Sequence, residues 1–349
     1  MSHSVLFVGG GSIGHIAPSI AVAHALRDLR PDCTIHFVCS THEGEAAFIQ
    51  KEGFRASPTA APKLSLLFPL RFFRALRQAG ALLKQHKPAV IFSKGGYVSL
   101  PLCIVAWWHR VPVVLHESDA VGGRANRIVS LFAHNICWGM NVRVPRPFRQ
   151  RSTFTGNPIR PGINEGGREE GLRITGFSGE RPVLLVMGGS QGAEVLNQFV
   201  VRHFADLSAV FDVIHLTGPG KTGLETGRHY WKTEFAYGEM PHLFAAATVA
   251  VSRAGANCIT ELAANSVPSI LIPLRGVGHD HQYQNALVAA RSGGCICVEQ
   301  SALEQQLLPA LQNLASSPET QTRMRLAMRS LHEPAAAGQI AKILSRHLA

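Results

Sequence analysis

The sequence predicts an α/β protein made of two Rossmann-like domains, each built on a parallel sheet. Two observations carry this. Two glycine-rich turns lie about half a chain apart, and apolar runs alternate with helical patterns through both halves. The first turn reads Val5-Leu6-Phe7-Val8-Gly9-Gly10-Gly11-Ser12-Ile13-Gly14-His15, and the second Val183-Leu184-Leu185-Val186-Met187-Gly188-Gly189-Ser190-Gln191-Gly192-Ala193. Glycine lets the backbone turn tightly and approach a ligand, and the first N–H groups of the following helix attract an anion. One such turn also serves an ordinary strand-to-helix connection; two in matching halves point to paired nucleotide folds facing a cleft.

In the first half, runs at 5–8, 34–39, 89–92 and 111–115 read as strands, and stretches at 15–29, 44–52, 69–84, 100–109 and 123–132 as helices. Strands alternating with helices imply a parallel sheet covered on both faces. The second half repeats the plan with strands at 183–186, 213–216, 248–252, 269–272 and 295–298. Between the halves, 155–179 is rich in Gly, Pro and charge and reads as an interdomain linker. Residues 316–349 read as two terminal helices.

A chain of 349 residues suits two domains of ordinary size. Its longest apolar stretch, 98–108, contains Ser99 and Pro101 and is shorter than the roughly 20 residues of a spanning helix, so no membrane span is expected. The N-terminus enters a strand without a basic or apolar leader, which predicts a protein that stays in the cytoplasm. The seven cysteines are scattered without a CxxC pair, and the 17 histidines include no HExxH. Buried reduced thiols and no metal are the expectation.

The net charge of +11 resides entirely in the first half: residues 1–155 hold 18 Lys+Arg against 7 Asp+Glu, and the remainder holds 16 of each. From Gly53 to His116 there is no acid, against nine basic residues. Such a face attracts nucleic acid, anionic lipid or a phosphorylated substrate.

Gly9, Gly11 and Gly14 match the GxGxxG spacing of a dinucleotide fold, which calls for an acid at the end of the second strand. Here that strand runs into Ser40-Thr41-His42, and Glu43 comes late. An oxidoreductase therefore stays open as an alternative. His15 follows the turn at the start of a helix, whose positive end disfavours imidazolium and leaves a neutral ring able to accept a proton.

Five further segments, in order along the chain, resemble the MurG family of glycosyltransferases: Gly95-Gly96-Tyr97-Val98-Ser99; His116-Glu117-Ser118-Asp119; Thr155-Gly156-Asn157-Pro158-Ile159-Arg160; Gly188-Gly189-Ser190-Gln191-Gly192-Ala193; and Asp280-His281-Gln282 with Asn285-Ala286. The resemblance implies a two-domain GT-B fold. Residues 1–158 would form the acceptor and membrane domain, 159–334 the UDP-GlcNAc domain, and 335–349 a helix packing back on the first. It implies an inverting transfer of GlcNAc from UDP-GlcNAc to the 4-hydroxyl of MurNAc in undecaprenyl-diphospho-MurNAc-pentapeptide (lipid I), without a cofactor or metal.

By the same resemblance His15 is the general base. Ser190, Gln191 and Gly192 meet the donor diphosphate, with Arg160 reaching it from the linker. Glu261 holds the ribose, Gln282 and Asn285 the sugar hydroxyls, and Tyr237 the uracil. Ser12, Gly14 and Asn126 are further donor contacts. Gly11, Gly14, His15, Gly95, Gly96 and Tyr97 form the acceptor and diphosphate site. Ile13, Leu100 and Cys258 depart from the family pattern, the first two beside the acceptor and the last beside a donor phosphate.

The run Leu64-Ser65-Leu66-Leu67-Phe68-Pro69-Leu70-Arg71-Phe72-Phe73-Arg74-Ala75-Leu76-Arg77 combines bulky apolar side chains with three arginines and no acid. A lipid-linked acceptor places Leu66, Leu67, Phe68, Arg71, Phe72, Phe73, Arg74 and Arg77 at the anionic inner leaflet of the cell membrane. The partners expected are then UDP-GlcNAc, lipid I, anionic lipids and other cell-wall synthesis proteins, and no nucleic acid, since the basic run lacks interleaved stacking aromatics. A non-catalytic sugar-nucleotide module, or a glycolipid transferase with another acceptor, also stays open.

Overall fold

The computed structural model describes residues 3–11, 13–42, 44–60, 68–221 and 223–348, with residues 13–15 and 68 as backbone within their helices. The chain divides into two compact units, Met1–Arg160 with Glu333–Ala349, and Pro161–His332.

The first unit is a seven-stranded parallel sheet of β1 (Ser4–Val8), β2 (Thr34–Ser40), β3 (Arg55–Thr59), β4 (Val90–Ser93), β5 (Val113–Glu117), β6 (Asn135–Trp138) and β7 (Ser152–Phe154). Its order is β3-β2-β1-β4-β5-β6-β7. The central strands are apolar almost throughout because both faces are covered. On one face Phe7 packs on Phe37 and Phe92, with centroids 5.0 and 5.1 Å apart. The helices Ile13–Leu29 and Ala336–Ser345 close that core through Ile20, Leu26, Ile340 and Leu344. On the other face the helices Phe68–His86 and Ser99–Trp108 bury Ala79, Leu83, Leu102 and Ala106.

The second unit has six parallel strands: β8 (Val183–Met187), β9 (Asp212–Leu216), β10 (Tyr230–Thr233), β11 (Val249–Ser252), β12 (Ser269–Leu271) and β13 (Cys295–Cys297). The order is β10-β9-β8-β11-β12-β13. Leu184, Val186, Val213 and Ile270 face the helices Glu194–Arg202 and Leu303–Ala315, which contribute Leu196, Phe199, Leu307 and Leu311.

Two sequence expectations change. Strands β3, β6, β7 and β10 were not anticipated. β3, β7 and β10 lie at sheet edges, and their residues RASPT, STF and YWKT lack the apolar run that double-sided burial imposes. The stretch 155–179 is not a plain linker. Thr155 and Asn157 are buried in the first unit, and Arg168–Thr175 is a helix. Acids at Glu169 and Glu170 open it, and Gly176 ends it at φ +75°. That helix packs on Met240–Ala246, with the Arg168 guanidinium donating to the Ala246 carbonyl at 3.0 Å.

Candidate functional site

In an open parallel sheet, ligands bind beyond the carboxyl ends of the strands where the strand order reverses. The orders above put that point between β1 and β4 in the first unit and between β8 and β11 in the second. The two glycine turns follow β1 and β8, so each unit carries one at its switch point.

In the first unit the turn after β1 is held from below by a carboxylate. Glu45 is wholly buried. Its Oε1 accepts the Gly11 N–H at 2.7 Å, and its Oε2 accepts the Ser40 N–H at 3.0 Å and the Ser40 hydroxyl at 2.8 Å. Across the switch point, Lys94 directly follows β4, and its buried ammonium donates to His116 Nδ1 at 2.9 Å and to the Ser118 hydroxyl. The other ring nitrogen, His116 Nε2, donates to the Gly156 carbonyl at 3.1 Å. Burial and the neighbouring ammonium drive the His116 pKa well down, so the ring is neutral with its proton on Nε2. Burial lowers Lys94 to about 8, opposed by Glu117 and Asp119.

Glu117 ends β5. Its carboxylate accepts the Asp119 N–H at 3.0 Å, the Gly123 N–H at 3.2 Å and the Asn126 amide at 2.7 Å. Burial first, then the Asp119 charge, raises it to about 7. Asn126 packs so closely on Gly95, at φ +91°, that a Cβ there would lie 2.3 Å from Asn126 Oδ1; only glycine fits.

In the second unit the Gly192 N–H donates to the Gly189 carbonyl at 2.9 Å, closing a turn whose central residues, Ser190 and Gln191, are exposed. Gly192 has φ +65°, and a Cβ on it would sit 2.1 Å from the Thr217 carbonyl oxygen. That carbonyl is fixed in turn. It accepts the Asn197 amide at 3.0 Å, while His215, kept neutral by burial, donates from Nε2 to Asn197 Oδ1 at 3.0 Å and accepts the Tyr230 hydroxyl at 2.7 Å. Beside the turn, after β11, Arg253 is buried and donates to the Ile272 carbonyl at 3.1 Å and to Gln300 at 2.7 Å, tying together the ends of three strands. The helix Ala256–Ala264 starts there and carries half-buried Glu261. On the helix His281–Ala290, Gln282 Oε1 accepts the Leu274 N–H at 3.1 Å, and wholly buried Asn285 donates to the Ala254 carbonyl at 3.1 Å.

Residues 5–138 match the glycosyltransferase family 28 N-terminal domain and residues 183–340 its C-terminal domain. The UDP-N-acetylglucosamine--N-acetylmuramyl-(pentapeptide) pyrophosphoryl-undecaprenol N-acetylglucosamine transferase of Shouchella clausii is 36% identical over 314 residues, covering 87% of this chain and 88% of that one. The transferase of the same name from Clostridium botulinum is 32% identical over the same shares. A crystal structure of Acinetobacter baumannii MurG superposes with a TM-score of 0.77 over 99% of this chain and all of that one, at 21% identity. The chain belongs to the MurG family of glycosyltransferases. A UDP-GlcNAc 2-epimerase from Neisseria meningitidis bound to UDP-GlcNAc shares the fold alone, with a TM-score of 0.72 at 14% identity.

The residues that the MurG resemblance singles out divide between the two units. Gly11, Gly95, Gly96 and exposed Tyr97 lie beyond β1 and β4, and Gly14 and His15 are in the first turn of the helix Ile13–Leu29. Ser12 lies outside the described residues, as does the side chain of His15. Arg160 and Asn126, read as donor contacts, belong to the first unit. Ser190, Gln191, Gly192, Glu261, Gln282 and Asn285 gather in the second. Tyr237 follows β10 there, with its backbone N–H accepted by Glu239 Oε2 at 3.1 Å. Sequence reasoning gave no role to Glu45, Lys94, His116, Glu117, Asn157, Asn197, His215 or Arg253. A polar residue one or two positions past an apolar run is the signal that marks Lys94, His116 and Arg253.

Proposed function

We propose that this chain transfers GlcNAc from UDP-GlcNAc to the 4-hydroxyl of MurNAc in lipid I, with inversion, forming lipid II for peptidoglycan synthesis. The observation that carries this is the relation to the Shouchella clausii transferase, 36% identical over 87% of the chain.

The exposed Ser190–Gln191 turn presents backbone N–H groups to the donor diphosphate. Glu261 accepts two hydroxyl protons of the ribose. Gln282, its carbonyl oxygen engaged by Leu274, offers its amide N–H groups to a sugar hydroxyl. Asn285 is buried against Ala254 and acts by holding the Arg253–Gly255 loop in place. His15 takes the proton of the acceptor hydroxyl as its oxygen attacks the anomeric carbon from the face opposite UDP. The bond to UDP breaks with its electron pair leaving on the β-phosphate oxygen, and Arg160 with the donor turn stabilises that charge.

The test is UDP release and product extraction from UDP-GlcNAc with a short-chain lipid I analogue. Acceptor-dependent disaccharide formation is expected. Glu261→Ala should raise the donor KM about 10- to 100-fold, the loss of hydrogen bonds to a charged group. UDP-GlcNAc binding without disaccharide would overturn the assigned acceptor.

The acceptor's lipid carrier supports a peripheral place on the cytoplasmic face of the membrane. No helix among the described residues is long and apolar enough to span a bilayer. The helix Phe68–His86 exposes Leu70, Arg71, Phe73, Arg74 and Arg77, while Phe72 is half-buried; Leu66 and Leu67, and the side chain of Phe68, lie outside the described residues. It packs on the helix Ser99–Trp108, which exposes Trp107 and Trp108 at its end. Exposed aromatic rings beside arginines dock on an anionic leaflet. Phe73→Asp with Trp108→Asp is expected to cut flotation with phosphatidylglycerol vesicles about tenfold or more; unchanged flotation would remove this face from the membrane contact.

A further inference from the structure

Lys94 is 8% exposed, and both of its partners are neutral: the unprotonated Nδ1 of His116 and the Ser118 hydroxyl. An ammonium has three N–H bonds, and the described residues take two. Glu117 and Asp119 are close enough to favour its charge, but no carboxylate oxygen of the described residues lies within ion-pair distance of its Nζ. Both Glu117 oxygens are occupied by Asp119 N–H, Gly123 N–H and the Asn126 amide. A cation buried without a direct counter-charge is costly to keep unless a ligand supplies the anion. Lys94 stands at the switch point of the first sheet, directly before Gly95 and Gly96, on the unit that does not carry the donor turn.

We propose that the Lys94 ammonium is a ligand of the diphosphate that joins the acceptor sugar to its lipid carrier, with His116 and Ser118 holding it in place. The inference rests on the transferase reading above. A diphosphate diester keeps its charge across neutral and alkaline pH, so the interaction depends on the lysine. His116 is neutral, Glu117 titrates near 7, and Asp119 adds negative charge from the same loop. Loss of the ammonium proton near pH 8 therefore weakens acceptor binding separately from Glu117.

The experiment compares the full native chain with Lys94→Met and Lys94→Arg by steady-state kinetics with UDP-GlcNAc and a short-chain lipid I analogue. Inorganic pyrophosphate is titrated calorimetrically into each. Lys94→Met should raise the acceptor KM about 10- to 100-fold, leave the donor KM unchanged and abolish the pyrophosphate binding that remains when UDP fills the donor turn. Lys94→Arg should restore most of both. In the native enzyme the acceptor KM should rise above about pH 8, and in Lys94→Met that rise should vanish. Removing a buried charge for an apolar side chain of similar length keeps the fold, which an unchanged melting temperature will report. An unchanged acceptor KM in Lys94→Met, or a rise in the donor KM instead, overturns the proposal. Native enzyme that binds pyrophosphate through Lys94 yet forms no disaccharide would instead defeat the transferase reading.

Discussion

His15→Ala is expected to bind UDP-GlcNAc as the native enzyme does and to turn over about 10²- to 10⁴-fold more slowly, the range for removing a positioned general base. The helix Ile13–Leu29 has no acid in its first turn, so nothing on that turn offsets the positive dipole end on which His15 sits. An imidazole placed there favours its neutral form, the form that accepts a proton near pH 7. The preceding glycine turn is held by Glu45 through the Gly11 N–H, which fixes where the helix begins. A kcat that falls while the donor KM stays constant would assign the residue to the chemical step. If kcat survives in His15→Ala, the proton is taken by another group or by water, and the pH profile of kcat/KM in the variant would identify its pKa.

The parts of this molecule that burial on both faces dictates were legible in the sequence. β1, β4, β5 and β8 are short apolar runs because helices cover them on both sides, and each is followed by the polar or glycine residues that leave the sheet. Three of the four edge strands escaped because half their surroundings are solvent: β3 contains Arg55 and Pro58, β7 is only three residues long and β10 reads YWKT, whereas the edge strand β13 lies in the run 295–298 that the sequence marks. The 155–179 stretch misled for a related reason. Gly, Pro and charge mark both linkers and the capped ends of a short helix, and Arg168–Thr175 is bounded by such caps. At the sites, the residues reachable from the sequence were those on glycine turns, such as Gly11, Gly95 and Gln191, and those the family resemblance singles out, such as Arg160, Glu261, Gln282 and Asn285. Glu45, His215 and Asn197 act through contacts between elements far apart in sequence, such as Glu45 with Gly11 or His215 with Asn197. No spacing rule along the chain reports these. The GxGxxG match was the weakest of the local signals. The fully buried acid that follows β2, Glu45, opens the helix Glu45–Lys51 and is occupied by the glycine turn and by Ser40 at the end of β2.

That arrangement makes Glu45→Ala the substitution with the largest expected cost to stability. Its carboxylate is the acceptor for three donors, the Gly11 N–H, the Ser40 N–H and the Ser40 hydroxyl, and it is fully buried. Alanine leaves the two Ser40 donors facing a cavity with no acceptor, while the Gly11 N–H, on an exposed residue, turns to solvent. At about 1–3 kcal/mol for each of the two buried Ser40 donors, a loss of about 2–6 kcal/mol is expected. One buried donor is the Ser40 backbone N–H, which cannot turn to another partner unless the end of β2 moves. Glu45→Gln tests the charge separately. Its amide keeps one acceptor oxygen but turns an NH₂ toward a donor, so it should fall between the native protein and Glu45→Ala. Chemical denaturation should show the first unit unfolding at lower denaturant, and acceptor-dependent turnover should drop because His15 follows the displaced turn. UDP-GlcNAc affinity should persist, since Ser190, Gln191 and Glu261 belong to the other unit. A denaturation midpoint unmoved in Glu45→Ala would mean that water or a rearranged Ser40 takes over the three donors, and the turn would then owe its shape to its glycines alone.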